Sequence, residues 1–371
     1  MKRLILLLIV LAGGLAAASF AVPSNAATVN GVAITQAQLG ADLSAIAGSP
    51  DYQCYLNAQE AVGTDGASTL PPVDGAETHS TVTTQFAATY LDTEIGHQLV
   101  LALAARHHVV ITPGDLTKAR AGLAQEITST LQEVAGSKYA CGTTAHALSA
   151  TQVLSTLPSS FVDENVQFDA TIDGLAARLA PVGTSSVDLE GYYAAHKAVF
   201  DTACITVAQY SSESNAEAAL SEVASGTPFA QVAAAASGGP EGCDILYGIT
   251  SQLPPGTNLA LNTVSNPIAL NASTYLLIEM TSKKATPFTT ARSAVESAVL
   301  NAGDDQARVA IDAAEVRAQV SVDKRYGTWV PRAAQVAPPV SPVRLDVLDP
   351  SANSAGAGAP RATTSSTGKT S

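Results

Sequence analysis

The spacing of the apolar residues changes near Phe200, and this change limits the folds open to the chain more than any other feature. Before that point, apolar residues recur at the spacing of an amphipathic helix. The clearest run is Leu91, Ile95, Leu99 and Leu103. After that point the sequence predicts strands at 203–209, 243–249, 264–270 and 274–281, and helices at 214–225 and 227–236. A mainly helical first part and a small α+β second part are therefore expected.

Local signals mark the ends of several elements. Asn30-Gly31 lies within the alternating segment 27–35 and predicts a short strand with a turn. Thr112, followed by Pro113 and Asp115, predicts a helix start, because threonine caps the first turn and proline suits the first helical position. Thr286-Pro287 is a second such start and begins a long helix that runs to about Arg317.

The two chain ends differ from the body. Residues 1–26 are predicted to be a secretory signal peptide, with Lys2 and Arg3 before an apolar core and a small-residue cleavage site ending at Ala26. The apolar stretch continues through Val22, so an uncleaved membrane anchor is the alternative. In both cases the body lies outside the cytoplasm, secreted or in the cell envelope. Residues 332–371 are rich in Pro, Ala, Ser and Gly and are predicted to be disordered, because burial cannot offset their ordering entropy.

Four cysteines remain in the body, at positions 54, 141, 204 and 243. An even number in an exported chain favours two disulfides, for which three connectivities are open. One bridge per domain predicts Cys54 with Cys141 and Cys204 with Cys243. Buried free thiols and a metal or nucleophile role are the alternatives. No C-x-x-C pair is present, and no histidine stands at ligand spacing from a cysteine.

Charge and motifs exclude several function classes. The net charge is -13 and no basic stripe occurs, which argues against nucleic acid and against an anionic membrane surface as partners. No nucleotide-binding fingerprint, nucleophile elbow or H-E-x-x-H motif is present. We therefore expect no nucleotide, no cofactor and no metal.

A set of short motifs begins just before the first strand of the second part. They are Tyr192-Tyr193 and Phe200 before that strand, Ala216-Glu217-Ala218, Gly226 to Ala230 with Ser237, Gly242 to Leu246, and Val264 to Ile268. The segment from Phe200 to Ser282 resembles a parvulin-type peptidyl-prolyl isomerase domain. Together with Val29-Asn30-Gly31 and the return of the chain through Val320 to Trp329, it is similar to exported foldases and chaperones of the SurA and PrsA type.

The resemblance implies an α+β fold with two parts. One is a mainly helical SurA-like chaperone domain built from both chain ends, 27–199 and 286–331. The other is a small parvulin-like α+β domain with an antiparallel sheet, at 200–285.

The sequence departs from the family where the isomerase site is expected. Family members usually carry a histidine at or beside the position of Cys204 and another at about Leu276, and an Asp or Cys where this chain has Gly238-Gly239. No catalytic residue is therefore predicted.

Apolar side chains are the remaining candidates for function. The resemblance implies a substrate groove near Cys204, Leu253, Leu259 and Leu276, and the alternative is that these side chains only fill the core. The expected function is ATP-independent holding of unfolded or proline-containing exported polypeptides. An active but divergent prolyl isomerase is the first alternative, and an envelope scaffold or adaptor is the second.

Overall fold

The computed structural model describes residues 24–63, 81–143, 146–271, 273–339 and 344–346. The helices are α1 (Gln36–Ala47), α2 (Pro50–Gly63), α3 (Thr84–Arg106), α4 (Pro113–Glu133), α5 (Ala150–Ser155), α6 (Ser159–Leu179), α7 (Ser186–Ala195), α8 (Glu213–Ala224), α9 (Phe229–Ala235), α10 (Leu246–Thr250) and α11 (Phe288–Arg317). The strands are β1 (Asn25–Val29), β2 (Val32–Thr35), β3 (Thr81–Thr83), β4 (Gly142–Thr143), β5 (His146–Ala147), β6 (Thr202–Tyr210), β7 (Ser237–Ile245), β8 (Ile268–Asn271), β9 (Thr274–Lys284), β10 (Val320–Val322), β11 (Thr328–Val330), β12 (Gln335–Ala337) and β13 (Arg344–Asp346). Helices with small antiparallel sheets confirm the predicted α+β class.

Packing divides the chain into two compact units. Among the described residues, unit 1 comprises those up to residue 175 and those from residue 307 onward, and unit 2 comprises those of 176–306. These boundaries differ from the predicted ones at 199/200 and 285/286, because α6 and α11 each have residues in both units.

A three-stranded sheet in unit 1 is formed by residues from distant parts of the sequence. Its strand order is β10-β1-β2, and both pairings are antiparallel. Asn30 and Gly31 connect β1 to β2 with φ angles of 52° and 87°, which is the left-handed backbone that an Asn-Gly hairpin turn requires. Ala27 and Val29 of β1 are buried in the main core of the unit.

The predicted signal segment falls mostly outside the described residues, since residues 1–23 are not among them. The predicted cleavage point after Ala26 lies inside β1, where Ala26 is fully buried and its carbonyl accepts a 2.8 Å hydrogen bond from the Asp323 N–H. Of the helices that the structure describes, none combines the length and the hydropathy that crossing a bilayer requires.

The C-terminal segment continues the fold of unit 1 past the predicted start of the tail. β12 pairs with β11, and Val336 is buried with its N–H donating to Asp92 Oδ1 at 2.7 Å. β13 pairs with β3. Strands therefore form at residues 335–337 and 344–346 within the segment that composition predicts to be disordered, because they pair with β11 and β3, which composition does not reveal.

Unit 2 contains a four-stranded antiparallel sheet with the order β7-β6-β9-β8. Helices α8 and α9 cover one face of this sheet, where Ala208 and Leu277 pack against Phe229 and Val232. A second cluster gathers Phe200 and Leu189 around Val295 of α11. The predicted strand 243–249 is wrong after Ile245, because a short helix, α10, begins at Leu246.

The cysteines form the two predicted disulfides. Cys54–Cys141 lies in unit 1 with a sequence separation of 87, and Cys204–Cys243 joins β6 to β7 in unit 2 with a separation of 39. Two disulfides fit an oxidising compartment.

Candidate functional site

An open pocket lies on the sheet face of unit 2 that α8 and α9 leave uncovered. Successive residues of a strand point to opposite faces, so Ile205 and Val207 lie on the face opposite Ala208. On β9, Ile278 pairs with Val207 and belongs to the same face, as does Leu276 two residues earlier. These four apolar side chains form the first wall of the pocket.

The second wall begins near the end of β7 and continues into α10 and the residues after it. It consists of Asp244 and the α10 residues Gly248 and Ile249, followed by Gln252 and Leu253. Asp244 lies over the first turn of α10, where its Oδ1 accepts a 2.7 Å hydrogen bond from the Ile245 N–H. Leu270 of the edge strand β8 completes the lining, with 44% of its surface exposed.

The pocket has a volume of about 230 Å³. Pockets for drug-sized ligands measure roughly 300–1,000 Å³, so this one has room for a side chain or a proline ring and not for a large cofactor. Its side chains are apolar apart from Asp244 and Gln252. This pocket, called the groove below, can therefore remove a small apolar group from water and offer it two polar contacts.

Acid–base groups are scarce at this site. Residues 200–285 contain no histidine. Twisting a peptide bond breaks no covalent bond but must overcome a barrier of about 20 kcal/mol, so an isomerase works by binding the twisted amide more tightly than the planar one. The apolar walls supply shape and desolvation, and Asp244 with Gln252 supplies the polar contacts.

The structure brings together two of the four predicted groove residues. Leu253 and Leu276 line the pocket. Leu259 packs against the apolar cluster that contains Leu276. Cys204 is bonded to Cys243 and is not among the lining residues, although its neighbour Ile205 is.

Sequence reasoning missed most of the lining. The alternation in 203–209 could have identified Ile205 and Val207, and the two-residue spacing from Leu276 could have identified Ile278. No local signal marks Leu270 or Gln252, because the strand order and the path after α10 bring them to the pocket.

Unit 1 has a larger depression between α4 and α6, with a volume of about 630 Å³. Leu123 and Ile172 contribute apolar surface, and acids surround them. These acids are held within the unit: Glu126 accepts hydrogen bonds from Tyr55 and Gln59, and Asp173 pairs with Lys118 at 2.9 Å. Burial, followed by repulsion from Glu126 and Asp173, raises the pKa of Asp169 to about 6.

Carboxylates also enter the helical core of unit 1. Glu94 and His97 are buried, with Glu94 Oε1 3.3 Å from His97 Nδ1, and the His97 ring contacts the tilted ring of Phe168 at a centroid distance of 3.7 Å. Burial, followed by repulsion from Glu94 and Glu164, raises the pKa of Asp42 to about 7. Within the described ranges, no three His, Cys, Asp or Glu side chains are grouped to hold a metal ion.

Comparison with solved structures finds the similarity that the sequence predicts. The peptidyl-prolyl isomerase PrsA of Bacillus anthracis is 10% identical over 61% of this chain and 97% of its own, with a TM-score of 0.32. The foldase PrsA of Streptococcus pneumoniae is 10% identical over 64% and 88%, with a TM-score of 0.32. A structure of the SurA-like chaperones PEB4 and Cj1289 from Campylobacter jejuni is 11% identical over 81% and 100%, with a TM-score of 0.25.

No protein-family model and no curated protein sequence matches the chain.

Proposed function

We propose that the groove of unit 2 holds a short apolar or proline-containing segment of an unfolded exported polypeptide, and that the chain is an ATP-independent chaperone with little prolyl isomerase activity. The observation that carries the proposal is the open apolar pocket with only Asp244 and Gln252 as polar lining side chains. Unit 1 is proposed as the chaperone domain. The two disulfides support a place outside the cytoplasm.

The size of the pocket supports weak binding of clients with little sequence selectivity. Burying one aliphatic or aromatic side chain contributes about 1.5–3 kcal/mol, and each 1.4 kcal/mol is tenfold in affinity. A single pocket of this kind therefore holds a client segment weakly. Weak binding permits release without nucleotide hydrolysis, and the apolar lining selects apolar character over a defined sequence.

Two variants test the groove against a matched control. Leu253 lines the pocket and is half-buried, whereas Leu261 is 48% exposed and is not a lining residue. Leu253→Asp should weaken the binding of an unfolded proline-containing peptide about tenfold, equivalent to about 1.4 kcal/mol. Leu261→Asp should leave this affinity unchanged. Equal effects of the two substitutions would show that the pocket is not the binding site.

Activity assays separate the proposal from its alternatives. The protein should suppress aggregation of an unfolded client at stoichiometric amounts, and should leave prolyl isomerisation of a test peptide near its uncatalysed rate. A clear rate enhancement that Leu253→Asp removes would instead establish a divergent isomerase. Capture of one specific partner, with no suppression of aggregation, would favour a scaffold or adaptor.

A further inference from the structure

The Cys204–Cys243 disulfide stands where the two walls of the groove meet. Cys204 precedes Ile205 of the first wall, and Cys243 precedes Asp244 of the second. The two cysteines are direct partners in the β6–β7 ladder, and their Cα atoms lie 3.9 Å apart. The bridge is therefore a covalent link between the walls, one residue away from the lining on each side.

Strand β7, which contributes Asp244 to the second wall, has few other features that hold it in the sheet. β7 is an edge strand, so the sheet holds it on one side only. It contains Gly238, Gly239 and Gly242 as well as Pro240, residue types that weaken a strand. Its pairing with β6 is also irregular between Ile205 and Val207.

Other contacts hold the segment that follows β7. Tyr247 of α10 packs against Phe200 with ring centroids 5.9 Å apart, and its hydroxyl accepts a 2.9 Å hydrogen bond from Asn301. The Leu246 N–H donates to the Asp201 carbonyl at 2.8 Å. Loss of the bridge should therefore loosen β7 and displace Asp244, while α10 stays attached to the core of unit 2.

The two disulfides differ in their access to a thiol reagent. Cys243 is exposed and Cys204 is half-buried. Cys141 is only 8% exposed and Cys54 is half-buried, and both lie in an apolar cluster that includes Ala58 and Val134. Thiol–disulfide exchange requires a thiolate to reach a sulfur atom of the bridge, so the bridge in unit 2 should react first.

We propose that the Cys204–Cys243 disulfide is a redox-sensitive link that controls the affinity of the groove for a client peptide, whereas Cys54–Cys141 is structural. This inference rests on the proposed function of the groove. A thiolate attacks Cys243 Sγ, the S–S bond breaks, and Cys204 leaves as a thiolate that takes a proton from water. A second thiol then attacks the mixed disulfide and releases Cys243, so two thiols are oxidised to one disulfide as the bridge is reduced. The reductant is a dithiol or a pair of small thiols.

Stepwise reduction of the full chain with dithiothreitol tests the order of the two reactions. Alkylation and peptide mass spectrometry after each step should find Cys204 and Cys243 modified before Cys54 and Cys141. Hydrogen–deuterium exchange at this stage should become faster in residues 237–245 and stay unchanged in residues 213–224 of α8. Reduction of Cys54–Cys141 first, or unchanged exchange in residues 237–245, would overturn the inference whether or not the groove binds a peptide.

Binding measurements test the consequence for clients. The half-reduced protein, and the Cys204→Val/Cys243→Val variant that keeps an apolar cross-strand pair, should bind the proline-containing peptide about tenfold more weakly, equivalent to about 1.4 kcal/mol. Cys54→Ala/Cys141→Ala should leave this affinity unchanged. Equal binding by oxidised and half-reduced protein would refute the redox link and leave the proposed function standing. No binding by the oxidised protein would refute the proposed function, and the exchange data would still decide whether the bridge controls β7.

Discussion

Gly303 of α11 is the position in unit 2 where an added methyl group should most clearly lower the free energy of unfolding. A Cβ atom there would overlap the carbonyl oxygen of Ala176 and would lie 3.2 Å from the Ala180 Cβ. The closest obstacle is helix backbone, which cannot move aside by changing a rotamer. Overpacking of this kind costs about 1–3 kcal/mol, and a backbone clash belongs near the upper end. Alanine is favoured over glycine in a helix by about 1 kcal/mol, so Gly303→Ala should lower the free energy of unfolding of unit 2 by about 2 kcal/mol.

Gly191 of α7 is the matched control, because a Cβ atom there would meet nothing within 4 Å. Gly191→Ala should raise the free energy of unfolding by up to about 1 kcal/mol, through helix propensity alone. Urea unfolding followed by circular dichroism measures both changes. Hydrogen–deuterium exchange of residues 176–306 shows whether each change lies in unit 2. A Gly303→Ala protein as stable as the wild type would show that α11 does not approach Ala176 as closely as described.

Three further predictions concern unit 1, whose unfolding can be followed by the fluorescence of Trp329, the only tryptophan of the chain. Burial raises the pKa of Asp42 from 3.8 to about 7. Its contribution to the free energy of unfolding should therefore be fully present below pH 4 and should be lost as the pH rises to 7. After allowance for solvent screening at this half-buried group, the Asp42 contribution should make unfolding at pH 8 cost about 1–2 kcal/mol less than at pH 5, and Asp42→Asn should reduce the slope by this amount. A slope that Asp42→Asn leaves unchanged would contradict the assignment. Cys54→Ala/Cys141→Ala opens a loop with a sequence separation of 87 and should lower the free energy of unfolding by up to about 4–5 kcal/mol; a loss below 1 kcal/mol would count against a structural role. Truncation after Arg332 removes the buried Val336 and should cost about 2 kcal/mol, whereas a disordered tail would cost nothing.

Features that depend on a few neighbouring residues could be predicted from the sequence. Thr112 and Asp115 form the expected reciprocal cap, with the Asp115 N–H donating to Thr112 Oγ1 at 3.3 Å and the Thr112 N–H donating to Asp115 Oδ2 at 2.8 Å. Asn30-Gly31 forms the expected turn for the same reason, since its backbone preference is local.

Features that depend on distant partners could not be predicted in this way. Val336 becomes part of the fold through Trp329 and Asp92, and nothing near it in the sequence indicates that pairing. The candidate groove shows the same division. Leu253 and Leu276 followed from a family resemblance, whereas Leu270 joined the lining only through the strand order.

The central claim is that the groove of unit 2 holds apolar segments of unfolded polypeptides. Methyl-detected NMR of the oxidised protein, titrated with an unfolded proline-containing peptide, tests it most directly. The largest shifts should occur at Leu253, Leu276 and Ile278, and the methyl groups of Leu189 and Val295 in the closed core should not move. Binding that shifts other methyl groups and leaves these three unchanged would contradict the account.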